Sequence, residues 1–346
     1  MKKHDYKPVS PPVTWFGSKS RLVKKIVRYF PDHQTFVDVF GGSGAVLLGK
    51  PPAKVEVYND LNSKMVNLFR VLSCPKKSSQ LKQLLEFTPY SRDEFNACRG
   101  EIENTTDEIE LARQMLVIQR QSHGGQGKQW SYCVDAAAAG YSASVRKFHR
   151  GIEGLEDVTR RIRKVQIENL EWSEILTRYD RDNTLFYLDP PYVPETRVNG
   201  GYDHEMTLED HEQLVGQLLK IKGRAVLSGY AHRAYEPLEL AGWNREEIEV
   251  TSQTSKKRAS RTECLWISPN CLPDYCPITD VPEGMNKRQA AAYRVHASRT
   301  QKSEEKIKEA IRTLKRLGRR ITKTEVSRMT GISRVHISRR YAYLFP

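Results

Sequence analysis

The stretch Asn183–Val193, "NTLFYLDPPYV", decides the fold. Leu185, Phe186, Tyr187 and Leu188 form a bulky apolar run of strand length. The run stops at Asp189, followed by two prolines and Tyr192. Pro190 and Pro191 fix φ and donate no backbone hydrogen bond, so they stiffen whatever turn they make. A buried strand that ends this way delivers a carboxylate, a rigid turn and an aromatic ring to one edge of a sheet.

Working outward, residues 34–74 read as strand, turn, helix, strand, helix. "TFVDVF" (35–40) is alternating and apolar, "GGSGAVLLGK" (41–50) is a glycine-rich turn opening a short helix, and "KVEVYND" (54–60) is a second strand ending in an acid. "LNSKMVNLFRVL" (61–72) carries apolar residues at helical spacing. Residues 80–120 are helical and mixed in charge, and 121–146 read as loops. Helix, strand ("KVQIENL") and helix fill 147–181. After the opening strand come a helix at 207–221, a strand "RAVLSGY" (224–230), and two strands near 245–251 and 262–268. Alternating strands and helices predict an open, largely parallel α/β sheet, whose ligands sit beyond the C-terminal strand ends. Asp60 and Asp189 are both expected there.

The 346 residues exceed one ordinary domain. No apolar run approaches the ~20 residues needed to span a membrane, and "MKKHDYKPVSPPVTWFGSK" has no apolar signal-peptide core. Six cysteines, at 74, 98, 133, 264, 271 and 276, form no CxxC pair and read as reduced thiols of a cytosolic protein with no metal. The net charge of +14 is uneven. Residues 284–346 hold 17 Lys/Arg against 4 Asp/Glu, whereas the rest of the chain holds 39 against 38. A nearly neutral body thus carries a basic C-terminal module, which suits a polyanion.

The glycine turn "DVFGGSG" (38–44) with Asp60 about 20 residues on is the spacing at which a carboxylate receives a ribose diol. A helix N-cap would also account for Asp60. The turn has neither the GxGxxG spacing nor a GKS/T lysine, which argues against NAD and a P-loop. At Asp189, a carboxylate oxygen and a free carbonyl held by a stiff turn suit an amino group with two N–H bonds, and the ring of Tyr192 offers a face to a base. An exocyclic nucleobase amine is a poor nucleophile because its lone pair is delocalised. Acceptors on its hydrogens favour a pyramidal nitrogen and stabilise the charge developed on attack.

"DPPY", "FVDVFGGSG" and "TWFGSKSRL" (14–22), in that setting, resemble the Dam-like, D12-class, alpha-group N6-adenine DNA methyltransferases over roughly residues 10–270. "YVPETRVNGGYDHEMTLEDH" (192–211) and "QTSKKRASRTECLWIS" (253–268) resemble that family's later loop and basic hairpin. The resemblance implies a Rossmann-like sheet binding S-adenosylmethionine, without metal or covalent intermediate. Trp15 and Lys19 match the motif that wraps the cofactor; Asp38, Phe40, Gly42 and Gly44 match the glycine turn; Asp60 matches the ribose-binding acid. Asp189, Pro190 and Tyr192 match the catalytic motif, with Asp189 also near the cofactor. Many relatives have two glycines where this chain has "WFGSK".

The same resemblance divides the body into a catalytic domain (1–74 and 166–270) and a helical and loop target-recognition insertion (75–165), and Pro273, Pro277 and Pro282 mark a linker (271–300). Within Gln126–Tyr132, Lys128 and Trp130 are candidate DNA contacts, as are Lys256, Lys257, Arg258 and Arg261 of the hairpin. A monomer or weak dimer acting on double-stranded DNA in a bacterial cell or phage-infected host is expected, away from membranes.

Residues 301–346 form the basic module. Ile307, Ile311, Leu314 and Leu317 mark an amphipathic helix ended by Gly318; Thr322 or Thr324 starts a short helix carrying Val326 and Met329. "TGIS" turns, and "SRVHISRRYAYLF" is a third helix. This is the helix-turn-helix pattern, whose last helix enters the major groove. Ser333 and Arg334 would meet base edges or phosphate, and Arg339 and Arg340 phosphate. A three-helix protein-interaction module is the other reading of this segment. For the whole chain the alternatives are an RNA or cytosine-N4 methyltransferase and an inactive DNA-binding regulator.

Overall fold

The computed structural model describes residues 6–15, 17–134, 142–196, 204–251, 260–271, 303–334, 337–338, 341 and 344–345, with backbone alone for 250, 251, 260 and 261. The chain divides into two compact units: 1–236 with 244–275, and 237–243 with 276–346.

Among the described residues, seven strands form one sheet in the first unit. They are β1 (Thr35–Asp38), β2 (Val55–Asn59), β3 (Val165–Glu168), β4 (Thr184–Leu188), β5 (Arg224–Gly229), β6 (Asn244–Thr251) and β7 (Ser260–Ile267), in the order β3-β2-β1-β4-β5-β7-β6. The first five run parallel, and β7 pairs antiparallel with both β5 and β6. This is the mixed α/β, Rossmann-like sheet expected from the alternation of strands and helices. β4, the opening strand, is buried at all five positions, because it lies mid-sheet with helical layers over both faces. Asp38 of β1 stands opposite Tyr58 and Tyr187, so the ends of β1, β2 and β4 reach the same edge.

The helices of 75–165 do not stand apart. Leu81, Leu85, Phe95, Met115 and Phe148 belong to the same buried cluster as Val46, Phe69 and Leu72. Arg120, in the helix Glu108–Gln121, donates to the carbonyls of Pro11 and Pro12 at 3.2 and 2.5 Å and to that of Lys147 at 3.3 Å. It clamps the N-terminal segment in place. Burial without an anionic partner pushes this guanidinium down to about 10.

In the second unit a helix spans 303–316, and another spans Lys323–Thr330. Thr322, not Thr324, is the N-cap: its side chain accepts from the backbone N–H of Glu325. Gly331 ends the helix in the left-handed conformation, at φ 72°. Ile307, Ala310, Leu314, Val326, Ile337 and Tyr341 form a small core. Leu317 and Met329, read from sequence as part of the apolar faces, are instead 62% and 47% exposed. Met329 sits in the last turn of its helix and Leu317 just past the end of the other. The linker residues 272–300 lie outside the described residues.

Candidate active site

The parallel strand ends open onto a cleft of about 570 Å³. Trp15, Lys19, Asp38, Phe40, Gly42, Asp60, Asp189 and Lys128, all singled out from sequence, line it. So do residues that no motif marked, among them Asn59, Leu170, Trp172, His204 and Met206. Gly44 lies behind the wall as N-cap of the helix Ala45–Gly49, at φ 68°. A Cβ there would meet the Phe69 ring at 2.8 Å. Gly42 faces the cleft at φ 48°, with Trp15 Nε1 3.2 Å from where its Cβ would be.

Asp60 is held by backbone at both oxygens. Gly42 N–H donates to Oδ2 at 2.7 Å and Asn62 N–H to Oδ1 at 2.8 Å. The N-cap of the following helix is Asn62, whose side chain accepts from Met65 N–H. Asp60 is therefore tied to the glycine turn across 18 residues. Asn59 stitches the same edge: Nδ2 donates to the carbonyls of Val39 and Leu170, and Oδ1 accepts from Leu170 N–H. Sequence carries no sign of this beyond a polar residue at a strand end.

Asp189 is the centre of a buried charged cluster. Lys19 Nζ donates to its two oxygens at 2.7 and 2.8 Å, to the hydroxyl of Tyr192 and to the carbonyl of Gly17 at 3.2 Å. Tyr192 in turn donates to Glu263. Burial raises the carboxyls of Asp189 and Glu263, and the Lys19 charge pulls both back. Burial also pushes Asp38 well above the usual carboxylate range, with Asp189 adding to the effect. Asp60 is raised by burial and lowered by its backbone donors. Tyr192 is only 6% exposed, and its ring meets that of Tyr230 edge-on at 4.5 Å. The ring that sequence offered as an open face is thus packed, because its hydroxyl is drawn into the Lys19 and Glu263 cluster.

Trp130 lies in a small stack outside the cleft. The Arg92 guanidinium stands 4.7 Å from its ring centre, the exposed Tyr132 stacks parallel at 6.1 Å, and its indole N–H donates to Gln121. Arg261 is placed only by its backbone, opposite Val250. Lys256, Lys257, Arg258, Arg339 and Arg340 lie outside the described residues. Ser333 and Arg334 follow the turn at Gly331. Among the described residues no three His, Cys, Asp or Glu are grouped to hold a metal ion, and no helix is long and apolar enough to cross a membrane.

A carboxylate on a proline-stiffened turn, beside a second one tied to a glycine turn, is an arrangement able to hold an amine against a nucleoside-bearing group. The chain is similar to the Type II methyltransferase M1.LlaDCHI of Lactococcus lactis subsp. cremoris, at 25% identity over 261 residues, which cover 71% of this chain and 90% of that protein. The family model of the D12 class N6 adenine-specific DNA methyltransferases matches residues 15–234, spanning the glycine turn, Asp60 and the Asp189 turn. The chain belongs to that family, and is an adenine-specific DNA methyltransferase.

Proposed function

We propose that the cleft binds S-adenosylmethionine and that the chain methylates N6 of an adenine extruded from a short double-stranded DNA motif. The observation that carries this reading is the convergence of Asp60 with its glycine turn, and of Asp189 with its proline turn, on one cleft. When bound, S-adenosylmethionine supplies a methyl group on a positively charged sulfur. Trp15, Asp38, Phe40, Gly42 and Asp60 would hold it. The fit is electrostatic as well as steric: Lys19 stands between half-buried Asp189 and buried Glu263, and buried Asp38 lies close enough to Asp189 to feel its charge, an excess of carboxylates that favours a cationic ligand. The bare Gly42 leaves room beside Trp15.

Asp189 and the neighbouring backbone carbonyl accept the N–H bonds of the target amine, which makes its nitrogen a better nucleophile. N6 is paired inside the duplex, so the base must leave the stack, at a cost of a few kcal/mol. Holding the amine in line accounts for much of the acceleration. Pro190 keeps Asp189 in place, and Tyr192 borders the base.

Residues 1–74 and 166–270 form the catalytic domain in this reading, and the helices and loops of 75–165 read the target through Lys128 and Trp130. The hairpin residues Lys256, Lys257, Arg258 and Arg261 add DNA contacts. Residues 301–346 act as a helix-turn-helix that adds DNA affinity through Ser333, Arg334 and Arg339. The Type II relative supports a role as the modification half of a restriction-modification pair.

The test is transfer of labelled methyl from S-adenosylmethionine to unmethylated duplex DNA, with RNA in parallel, comparing wild type with Asp189→Ala. Long-read sequencing of the product should place N6-methyladenine in one short motif, absent with the variant. Binding of cofactor and DNA without transfer to either polymer would leave only a DNA-binding regulator.

A further inference from the structure

Glu263 belongs to none of the residues singled out from sequence, yet it closes the inner side of the Asp189 cluster. It sits on β7, opposite Ile248 of β6, and is 5% exposed. Tyr192 donates its hydroxyl proton to Glu263 Oε1, and Lys19 Nζ stands 3.5 Å from the same oxygen. The tyrosine has one proton to give. It goes to Glu263, with Asp189 Oδ1 a longer second acceptor at 3.4 Å, while the hydroxyl receives from Lys19.

The Lys19 ammonium donates to both oxygens of Asp189, one of which the target amine also needs as an acceptor. An amine donating to that oxygen competes with the ammonium and loosens its hold. A buried ammonium left without a partner is strongly unfavourable. A second carboxylate is already beside it: N–H···O bonds form at about 2.7–3.2 Å, so a shift of roughly 0.5 Å brings Lys19 into full contact with Glu263. We propose that Glu263 is a positioning residue for methyl transfer, taking the Lys19 ammonium when the target amine claims Asp189 and fixing the Tyr192 ring through its hydroxyl. This rests on the reading of the cleft as an adenine N6 methylation site.

The titratable groups facing Glu263 are Lys19, Asp189 and Tyr192, with Tyr187 and Cys264 nearby. Asp189 and Glu263 repel one another across the lysine. Replacing Glu263 by the neutral, isosteric Gln removes that repulsion, so Asp189 ionises more readily and the acid limb of the rate profile moves to lower pH. The same change removes the second home of Lys19, so the chemical step slows while binding stays.

The experiment is steady-state methyl transfer to duplex DNA by the full chain as wild type, Glu263→Gln and Glu263→Asp, across pH, with melting curves alongside. The expected result for Glu263→Gln is a kcat lowered by about tenfold to a hundredfold with KM for both substrates within about twofold, the pattern of an interaction made only in the transition state. Its acid limb falls in pH, its melting temperature is kept, and Glu263→Asp recovers part of the rate. Active wild type with Glu263→Gln matching it in kcat and acid limb overturns the role of Glu263 alone. So does a Glu263→Gln variant that loses rate, cofactor binding and melting temperature together without rescue by Asp, which is a structural role. Wild type that transfers nothing to DNA adenine overturns the reading of the cleft, and this role with it.

Discussion

Lys19 and Asp189 are 170 residues apart along the chain, and their charged atoms are 2.7 Å apart. The N-terminal segment, matched from sequence to cofactor wrapping, thereby also governs the carboxylate at the end of β4. Replacing Lys19 by Met leaves Asp189 and Glu263 buried together without a cation. Breaking a buried pair in this way costs about 3–5 kcal/mol, so a clear drop in melting temperature is expected. With the ammonium gone, Asp189 holds its proton more tightly, and the acid limb of methyl transfer moves to higher pH. A pH–rate profile of Lys19→Met checks the sign, which is opposite to that expected for Glu263→Gln.

Asp189→Asn keeps the shape of the turn and loses the charged acceptor. Removal of one such electrostatic contact lowers rates by about 10²–10³-fold. Labelled-methyl transfer should fall by that order, while cofactor affinity, measured by equilibrium binding, changes much less.

Asp38 is a case where stability and function oppose each other. Burial raises its pKa well above the usual range, so the folded chain binds this proton more tightly than the unfolded one does. Its contribution to stability therefore declines as pH rises from the ordinary value of about 3.9 up through the folded pKa. Asp38→Asn removes that decline. The variant should melt higher than wild type at neutral pH, and bind cofactor more weakly. A wild-type-like melting curve at every pH would count against the assignment.

Gly44→Ala forces a Cβ onto a residue at φ 68°, against Phe69. Strain of this kind costs about 1–3 kcal/mol. The loss should appear as a lower denaturant midpoint with an unchanged slope.

Arg334 follows the left-handed turn at Gly331. If it touches phosphate, Arg334→Ala should lower DNA affinity on every sequence alike and reduce the slope of log affinity against log salt by about 1. A loss confined to one sequence would instead assign Arg334 to base reading.

Much of the site was legible because its markers are local. Two prolines after an apolar run announce the end of β4, and glycines followed by an acid announce the β1 and β2 edge. The cluster itself was not, because its members meet through tertiary register. Glu263 is one acid in "SRTECLWI", and its burial depends on β7 pairing with β5, where Cys264 stands opposite Gly229. Lys19 stood out by its motif, but nothing local shows that its side chain reaches Asp189, 170 residues further on. The partners of the Tyr192 hydroxyl, Lys19 and Glu263, were not legible, since nothing in "DPPY" tells where a hydroxyl finds its partners. The choice between Thr322 and Thr324 turned on one hydrogen bond to Glu325, which propensity alone does not separate.

The position of β7 between β5 and β6 bears on how the enzyme is born. On the ribosome β6 emerges first, but it has no place in the sheet until β7 follows and slots in beside β5. Until then β5 presents a bare edge, and Asp189, Lys19 and Tyr192 lack their fourth member. A nascent chain halted short of residue 260 would keep that bare, sticky edge and lack Glu263.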